Sequence, residues 1–151
     1  MAQVVAEVTV AVPVQRLYSL AKGVERFPEF MPDLEQVEVL ERDGPRARTR
    51  WVGRVREFNR LIRWVEEDEW DDAGRECHFR QTEGDFDKYE GVWRFRPDGQ
   101  GAKAHLQIDY EFNVPLIGAL IKRVVQKLMQ HNCEQMLAAL KALAEQGEKG
   151  A

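Results

Sequence analysis

The stretch that decides the fold is residues 103–144, KAHLQIDYEFNVPLIGALIKRVVQKLMQHNCEQMLAALKALA. Up to Phe112 its apolar and polar residues alternate, which is the pattern of a β-strand with one buried face. From Leu116 to Ala144 apolar residues recur every three or four positions, as they do along one face of an α-helix. The hydrophobic period therefore changes at Pro115, where a strand gives way to one long helix.

Strand-like alternation also precedes this stretch, in segments separated by turn residues such as Asp-Gly-Pro at 43–45 and Pro-Asp-Gly at 97–99. The predicted strands are Gln3 to Val12, Leu34 to Glu41, Arg46 to Phe58, Leu61 to Trp70, Glu76 to Glu83, Lys88 to Arg96 and Lys103 to Phe112. Between the first two strands, Val14 to Lys22 has helical spacing, and the prolines within Val24 to Pro32 permit only a short helix or turn.

A long helix behind a run of antiparallel strands must lay its apolar face on the sheet, because neither element buries that face alone. The sequence therefore predicts an α+β fold, in which a curved antiparallel sheet of about seven strands wraps around the C-terminal helix and two short helices follow strand 1. A sheet curved around one helix tends to leave a cavity between them, and we expect the function to lie in that cavity.

Length and composition limit the class of protein. The 151 residues fit one domain, which we expect to span residues 1–145 before a polar tail at 146–151. The net charge of −4 lacks the basic footprint of nucleic-acid binders. No apolar run approaches the ~20 residues of a membrane span, and the N-terminus has no signal-peptide pattern. With two widely separated cysteines, the sequence favours a reduced, cytoplasmic protein, without excluding transient contact with a membrane surface.

Strand alternation also assigns side chains to the two faces of the sheet. In the strand from Arg46 to Phe58 a row of arginines lies opposite Trp51, so the arginine face is expected to be solvated. In the next strand Glu67 and Glu69 are expected to pair with that row across the outer face. Glu66 then falls on the inward face, among tryptophans.

The inward face is mostly aromatic and apolar with a few polar groups, which is the mixture found in small-molecule pockets. A solid core whose polar groups satisfy one another would show the same pattern. The residues expected to line a ligand site are Phe27, Phe30, Trp51, Trp64, Glu66, Phe79, Gln81, Tyr89, Trp93, Tyr110, Val124, Leu128 and Asn132.

Three stretches resemble the START and polyketide-cyclase superfamily, whose members have the helix-grip fold. The segment VPVQRLY at 12–18 resembles the opening of the family, where a proline after the first strand starts a helix. VERFPEFMP at 24–32 is similar to the next segment of the cyclase/dehydrase branch and of ubiquinone-binding relatives, and GDFDKYEGVWRF at 84–95 resembles a strand pair of that branch. The resemblance covers residues 4–144 and implies a ligand cavity. It does not identify the ligand, because the superfamily binds sterols, quinones, lipids, hormones and polyketides.

Two residues are candidates for acid–base chemistry. Glu66 is the first, because a carboxyl between apolar walls has a raised pKa, unless strand twist turns it outward or an arginine pairs with it. Tyr89 is the second, as a hydrogen-bond donor to a carbonyl or quinone oxygen. The resemblance implies a pocket arginine in the aromatase/cyclases, but no arginine here has clear inward parity. The three histidines lack metal-ligand spacing, so no metal or cofactor is predicted.

Three functions remain open at this point. The first is a carrier or chaperone that holds a lipid, an isoprenoid quinone or a polyketide-like aromatic molecule in the cavity. The second, implied by the resemblance, is a cyclase or dehydratase that uses Glu66 and a tyrosine, and an outward-pointing Glu66 would refute it. The third is a ribosome-associated interaction protein, against which the acidic net charge argues.

Overall fold

A computed structural model describes residues 2–31, 33–55, 59–112 and 119–149. The elements are β1 (Ala2–Val10), α1 (Val14–Lys22), a 3-10 helix (Val24–Glu29), β2 (Leu34–Asp43), β3 (Arg46–Val55), β4 (Arg60–Asp71), β5 (Glu76–Gly84), β6 (Lys88–Asp98), β7 (Gly101–Glu111) and α2 (Ala119–Lys149). The strands form one antiparallel sheet in the order β1-β7-β6-β5-β4-β3-β2. This arrangement confirms the predicted helix-grip architecture, including the two short helices after β1.

The C-terminal helix is longer than its periodicity indicated. It continues to Lys149 rather than ending at Ala144, so the expected polar tail is helical up to that residue. Glu145 gives a reason, because it accepts hydrogen bonds from Lys141 Nζ (2.7 Å) and from the backbone N–H of Ala11 (2.9 Å). No described helix is both long enough and apolar enough to cross a membrane. Four predicted boundary positions lie outside the described residues: Pro32, Phe58, Pro115 and Leu116.

Helix α2 also covers the edge of the sheet at β1. Gln130 Nε2 donates a hydrogen bond to the carbonyl oxygen of Val5 (2.8 Å), and Lys141 Nζ donates one to that of Thr9 (2.9 Å). An uncovered edge strand exposes unpaired backbone groups to other chains. The helix satisfies part of this edge and is thereby held against β1.

The space between the sheet and α2 is filled at one end. Tyr18 of α1 packs edge-on against Trp70 and Phe95, with ring centroids 5.8 and 5.7 Å away. From the later turns of α2, Leu137 and Leu140 are fully buried in the same core. Because α1 covers only this end, the other end of the space stays open.

The outer face of the sheet is charged, as predicted, but its ion pairs differ from the expected ones. The β3 arginines pair with glutamates of the edge strand β2, and Glu67 of β4 pairs with β5. Each arginine or glutamate in the middle of the sheet has a directly opposite residue on both neighbouring strands, and the observed partners are the opposite residues on β2 and β5 rather than those across β3 and β4. The pairs are Arg48–Glu41 (3.5 Å), Arg50–Glu38 (3.3 Å) and Arg80–Glu67 (3.1 Å). Exposed pairs of this kind contribute ~0–1 kcal/mol each.

Candidate ligand-binding cavity

The open end of the interior is a cavity of about 440 Å³ between the sheet and residues 125–136 of α2. Small-molecule sites typically have ~300–1,000 Å³. The cavity meets solvent where its lining side chains are exposed or half-buried, and Arg60, Gln135 and the half-buried Arg54 are such residues, so they mark its mouth. Of the predicted binding residues, the following line the wall: Trp51, Trp64, Glu66, Phe79, Tyr89, Trp93, Leu128 and Asn132.

Two predicted binding residues lie behind the wall rather than in it. Phe27 is buried and packs edge-on against Trp51, with ring centroids 6.0 Å apart. Phe30 packs in turn on Phe27 at 5.8 Å. Both belong to the segment around the 3-10 helix, whose contribution to the wall is Met31. The two phenylalanines therefore support Trp51 from outside the cavity.

Three more predicted residues are also absent from the wall. Gln81 donates through Nε2 to the carbonyl oxygen of Phe86 (2.8 Å) and accepts from its N–H (3.3 Å), so it fixes the turn between β5 and β6. Tyr110 is buried and packs edge-on against Phe86 at 6.2 Å. Val124 does not line the cavity, whereas the adjacent Val125 does. Phe86 lines the cavity although it was not among the predicted residues. It lies in a turn, where the alternation of side chains along a strand does not apply.

Helix α2 lines the cavity with a wider face than the three predicted positions, because it keeps Leu128 and Asn132 and adds further residues beside them. Val125, Met129, Cys133 and Met136 follow the spacing i, i+4, i+8, i+11 and line the cavity, while Gln135 is exposed at the mouth. Apolar residues occur on both sides of the true face, so the helical period alone could not fix its centre.

Two arginines reach the mouth, although neither had clear inward parity. The Arg54 guanidinium, at the end of β3, is bound by Glu35 and by Asn59 Oδ1, the latter at 3.4 Å. Arg60, at the start of β4, lies over the ring of Phe112 at 5.9 Å. Parity assigns faces in the middle of a sheet, whereas long side chains at strand ends can turn around the rim.

The polar centre of the cavity is a pair of carboxyls on β4. Glu66 and Asp68 are each only 4% exposed. Trp64 Nε1 donates a hydrogen bond to Glu66 Oε1 at 2.8 Å. Thr49 Oγ1 donates to Asp68 Oδ2 at 2.6 Å and accepts from Trp51 Nε1 at 2.8 Å. The two carboxyls lie two residues apart on the same inward face of β4, close enough to interact, and a hydrogen bond between them requires a proton on one of the two. Only Glu66 belongs to the cavity wall.

The surroundings of the two carboxyls shift their pKa values to different extents. Burial raises the pKa of Glu66 well above its ordinary value, and the charge and hydrogen bond of Asp68 raise it further. The hydrogen bond from the Trp64 N–H lowers this pKa, but by less. Burial also raises the pKa of Asp68, but hydrogen bonds from Glu66 and Thr49 lower it. Asp68 therefore loses its proton first, and Glu66 is the neutral member that faces the cavity.

Aromatic rings form a continuous part of the wall. Trp51 and Trp64 stack with centroids 5.8 Å apart and planes 7° apart. Trp64 contacts Tyr89 at 5.2 Å, and Tyr89 contacts Phe86 at 4.7 Å. Such rings offer a large apolar surface with few rotatable bonds, which suits a flat ligand.

The histidines are occupied elsewhere. His78 contacts Glu76 (3.3 Å) and His105 contacts Glu7 (2.9 Å), both on the outer surface. His131 is exposed on α2. Within the described ranges no group of three or more histidine, cysteine or acidic residues could hold a metal ion.

Residues 10–137 match the family model described as polyketide cyclase/dehydrase and lipid transport. The chain belongs to this family. Among the similar family proteins is the actinorhodin polyketide synthase bifunctional cyclase/dehydratase of Streptomyces coelicolor, 31% identical over 135 residues. The match covers 88% of this chain and 41% of that protein, so the chain spans less than half of that relative's length.

Solved structures share the fold of this chain. The crystal structure of TTHA0849 from Thermus thermophilus superposes with a TM-score of 0.92 at 40% identity, covering 97% of this chain and 99% of that one. The Zhui aromatase/cyclase of a Streptomyces species superposes with a TM-score of 0.87 at 22% identity, covering 96% and 94% of the two chains. At the latter identity the likeness concerns the fold.

Proposed function

We propose that this chain binds a small, uncharged, hydrophobic molecule of the polyketide class in its cavity. The observation that carries the proposal is the largely apolar, aromatic wall around about 440 Å³ of space. Burial of apolar ligand surface there supplies affinity at about 25 cal/mol per Å². The family supports the choice of ligand class, because similar members are named as polyketide cyclases.

A few polar groups would orient the ligand. The Tyr89 hydroxyl on β6 and the Asn132 amide on α2 line the cavity from opposite sides. Neither side chain has a hydrogen-bond partner among the described residues. Cavity-facing polar groups left in this state are available to a carbonyl or hydroxyl group of a ligand.

Quenching of tryptophan fluorescence by 1,8-dihydroxyanthraquinone, a planar aromatic diketone, tests this proposal, since three tryptophans line the cavity. Val125→Phe fills part of the space and should weaken binding by about tenfold or more, a loss of about 1.4 kcal/mol. Val124→Phe is the matched control, because the adjacent residue does not line the cavity. Equal affinity in both variants, or no saturable quenching in the wild-type protein, would refute the proposal.

A second candidate function is a cyclase or dehydratase reaction on the bound molecule. The carboxyl pair favours it, because a protonated Glu66 beside a charged Asp68 supplies both an acid and a base. Incubation with a linear poly-β-ketone, followed by chromatography, should give cyclised aromatic product. Glu66→Gln should abolish the product while 1,8-dihydroxyanthraquinone still binds, and unchanged product from that variant would exclude this chemistry.

A further inference from the structure

Glu66 and Asp68 differ in their access to the cavity. Glu66 lies in the cavity wall, whereas Asp68 is buried without lining the cavity. Thr49 is the cross-strand neighbour of Glu66, yet its hydroxyl donates diagonally to Asp68. The Trp51 indole in turn donates to the Thr49 oxygen, which leaves the hydroxyl proton directed at Asp68. Two residues of β3 thus support the carboxyl that the ligand does not touch.

We propose that Glu66 and Asp68 form one acid–base unit, in which Glu66 contacts the ligand and Asp68 is a positioning residue that takes up the proton Glu66 passes on. This inference rests on the proposed function, since it assumes a ligand in the cavity. It extends that function by naming a substrate class, which is ketones that carry a hydrogen on the carbon next to the carbonyl.

Other titratable groups around the pair stay neutral or are engaged elsewhere. Burial raises the pKa of the Cys77 thiol on β5 and of the Tyr89 hydroxyl on β6. It raises the pKa of the Cys133 thiol on α2 to about 12. Lys22 of α1 is bound by Asp72 at 2.9 Å. None of these groups competes with Asp68 for the single negative charge of the unit.

The proton transfer balances within the unit and the ligand. The C–H bond next to the ligand carbonyl breaks, and its electron pair moves into the C–O group to give an enolate. The proton forms a new O–H bond on Glu66, and the proton that Glu66 already held moves to Asp68. The negative charge has then passed from Asp68 to the ligand, and the reverse transfers return the proton to carbon or to a leaving hydroxyl.

Infrared titration of the ligand-free protein tests the pairing without any ligand. Above the pH range in which the exposed carboxyls ionise, the remaining band of protonated carboxylic acids should disappear in two steps, the lower one belonging mainly to Asp68 and the upper one to Glu66. Asp68→Asn should leave a single step that lies about one pH unit or more below the upper wild-type step, because the like charge beside Glu66 is gone. An unmoved upper step, or no carboxyl that stays protonated above the pH range of the exposed ones, would overturn the proposal.

Thr49→Val provides an independent variant if Asp68→Asn does not fold. Loss of the hydroxyl donor should raise the lower step, since the charge on Asp68 loses a hydrogen bond. A lower step at its wild-type position would count against the unit. Glu69→Gln is the matched control, because Glu69 lies on the same strand with its side chain exposed, and both steps should stay in place.

Exchange of the α-hydrogens of 1-tetralone for deuterium, followed by NMR, tests the chemical step. The wild-type protein should accelerate exchange over buffer, and Asp68→Asn should lower kcat about tenfold or more while KM changes less than about twofold. Equal kcat in the two proteins, or no acceleration by the wild type, would refute the proton transfer. Binding of 1,8-dihydroxyanthraquinone separates the two proposals. A protein that titrates in two steps but does not bind this compound would refute the proposed ligand class and leave the Glu66–Asp68 unit standing.

Discussion

Trp51 and Trp64 face each other across β3 and β4, and each indole N–H donates along its own strand to the residue two positions away. Trp51 donates to Thr49 and Trp64 donates to Glu66, both at 2.8 Å. The rings stack nearly parallel, and Thr49 and Glu66 are themselves cross-strand neighbours. One pair of tryptophans thus supplies both the apolar wall and the donors that hold the polar centre. Replacing either ring should therefore change the pKa values of the carboxyls.

Replacing Trp64 by Phe should raise the pKa of Glu66 further. The indole N–H stabilises the charged form of this carboxyl, so its loss favours the protonated form. In infrared titration the upper step should move to higher pH. Trp51→Phe is the control, because that indole donates to Thr49 and not to Glu66, so any shift of the upper step should be smaller. A downward shift in Trp64→Phe would contradict the assignment of the upper step to Glu66.

The stability of the protein should depend on Glu66 above the pH at which an exposed glutamate ionises. In the unfolded chain the pKa is about 4.3, and in the folded protein it is raised. Between these two values the folded state holds a proton that the unfolded state has lost, so the free energy of unfolding falls as pH rises. Glu66→Gln should remove that slope, and urea unfolding at about pH 5 and about pH 8 measures it. Parallel pH dependence in wild type and variant would show that Glu66 titrates normally.

The order of elements could be predicted because hydrophobic period is a local property of the chain. The starts of β3, β5 and β6 at Arg46, Glu76 and Lys88 coincide with the predicted ones, since turn residues precede them. Parity also placed Glu66 inward, because two tryptophans of the same strand share its face. These features need no knowledge of which strands meet.

The remainder of the site depends on how elements meet. The bond from Thr49 to Asp68 requires the register of β3 against β4, which a strand pattern does not contain. Phe86 enters the wall because Gln81 holds its backbone in a turn. The choice of Val125 over Val124 depends on a rotation of α2 against the sheet. Each of these features is a tertiary contact between segments. The local sequence pattern of each segment is compatible with more than one such contact.

Replacing Tyr18 by Phe should lower Tm by about 2–4 °C through loss of one hydrogen bond. The hydroxyl donates to Asp72 Oδ1 at 2.6 Å, while the ring keeps its contacts with Trp70 and Phe95. The bond lowers the pKa of Asp72, so its stabilisation is present at neutral pH and is lost as pH falls through the pKa of that carboxyl. Calorimetry of Tyr18→Phe at neutral and acidic pH measures both effects. Tyr110→Phe, whose hydroxyl has no partner among the described residues, should leave Tm nearly unchanged.

Replacing Gly91 by Ala should destabilise the protein by about 1–3 kcal/mol, because β6 has no room for a methyl group there. A Cβ at this position would lie 2.2 Å from the carbonyl oxygen of Gln107 and 2.5 Å from Phe79 Cζ. The backbone of β7 cannot withdraw without breaking the sheet, so the Phe79 ring must move and reshape the cavity wall. Gly53→Ala is the matched control, since this glycine lies in the wall itself and its Cβ would meet its nearest neighbours at 3.7 and 3.8 Å. Urea unfolding and anthraquinone quenching should both change in Gly91→Ala, and neither should change in Gly53→Ala. Wild-type values in Gly91→Ala would show that Phe79 is not held against β6 in this way.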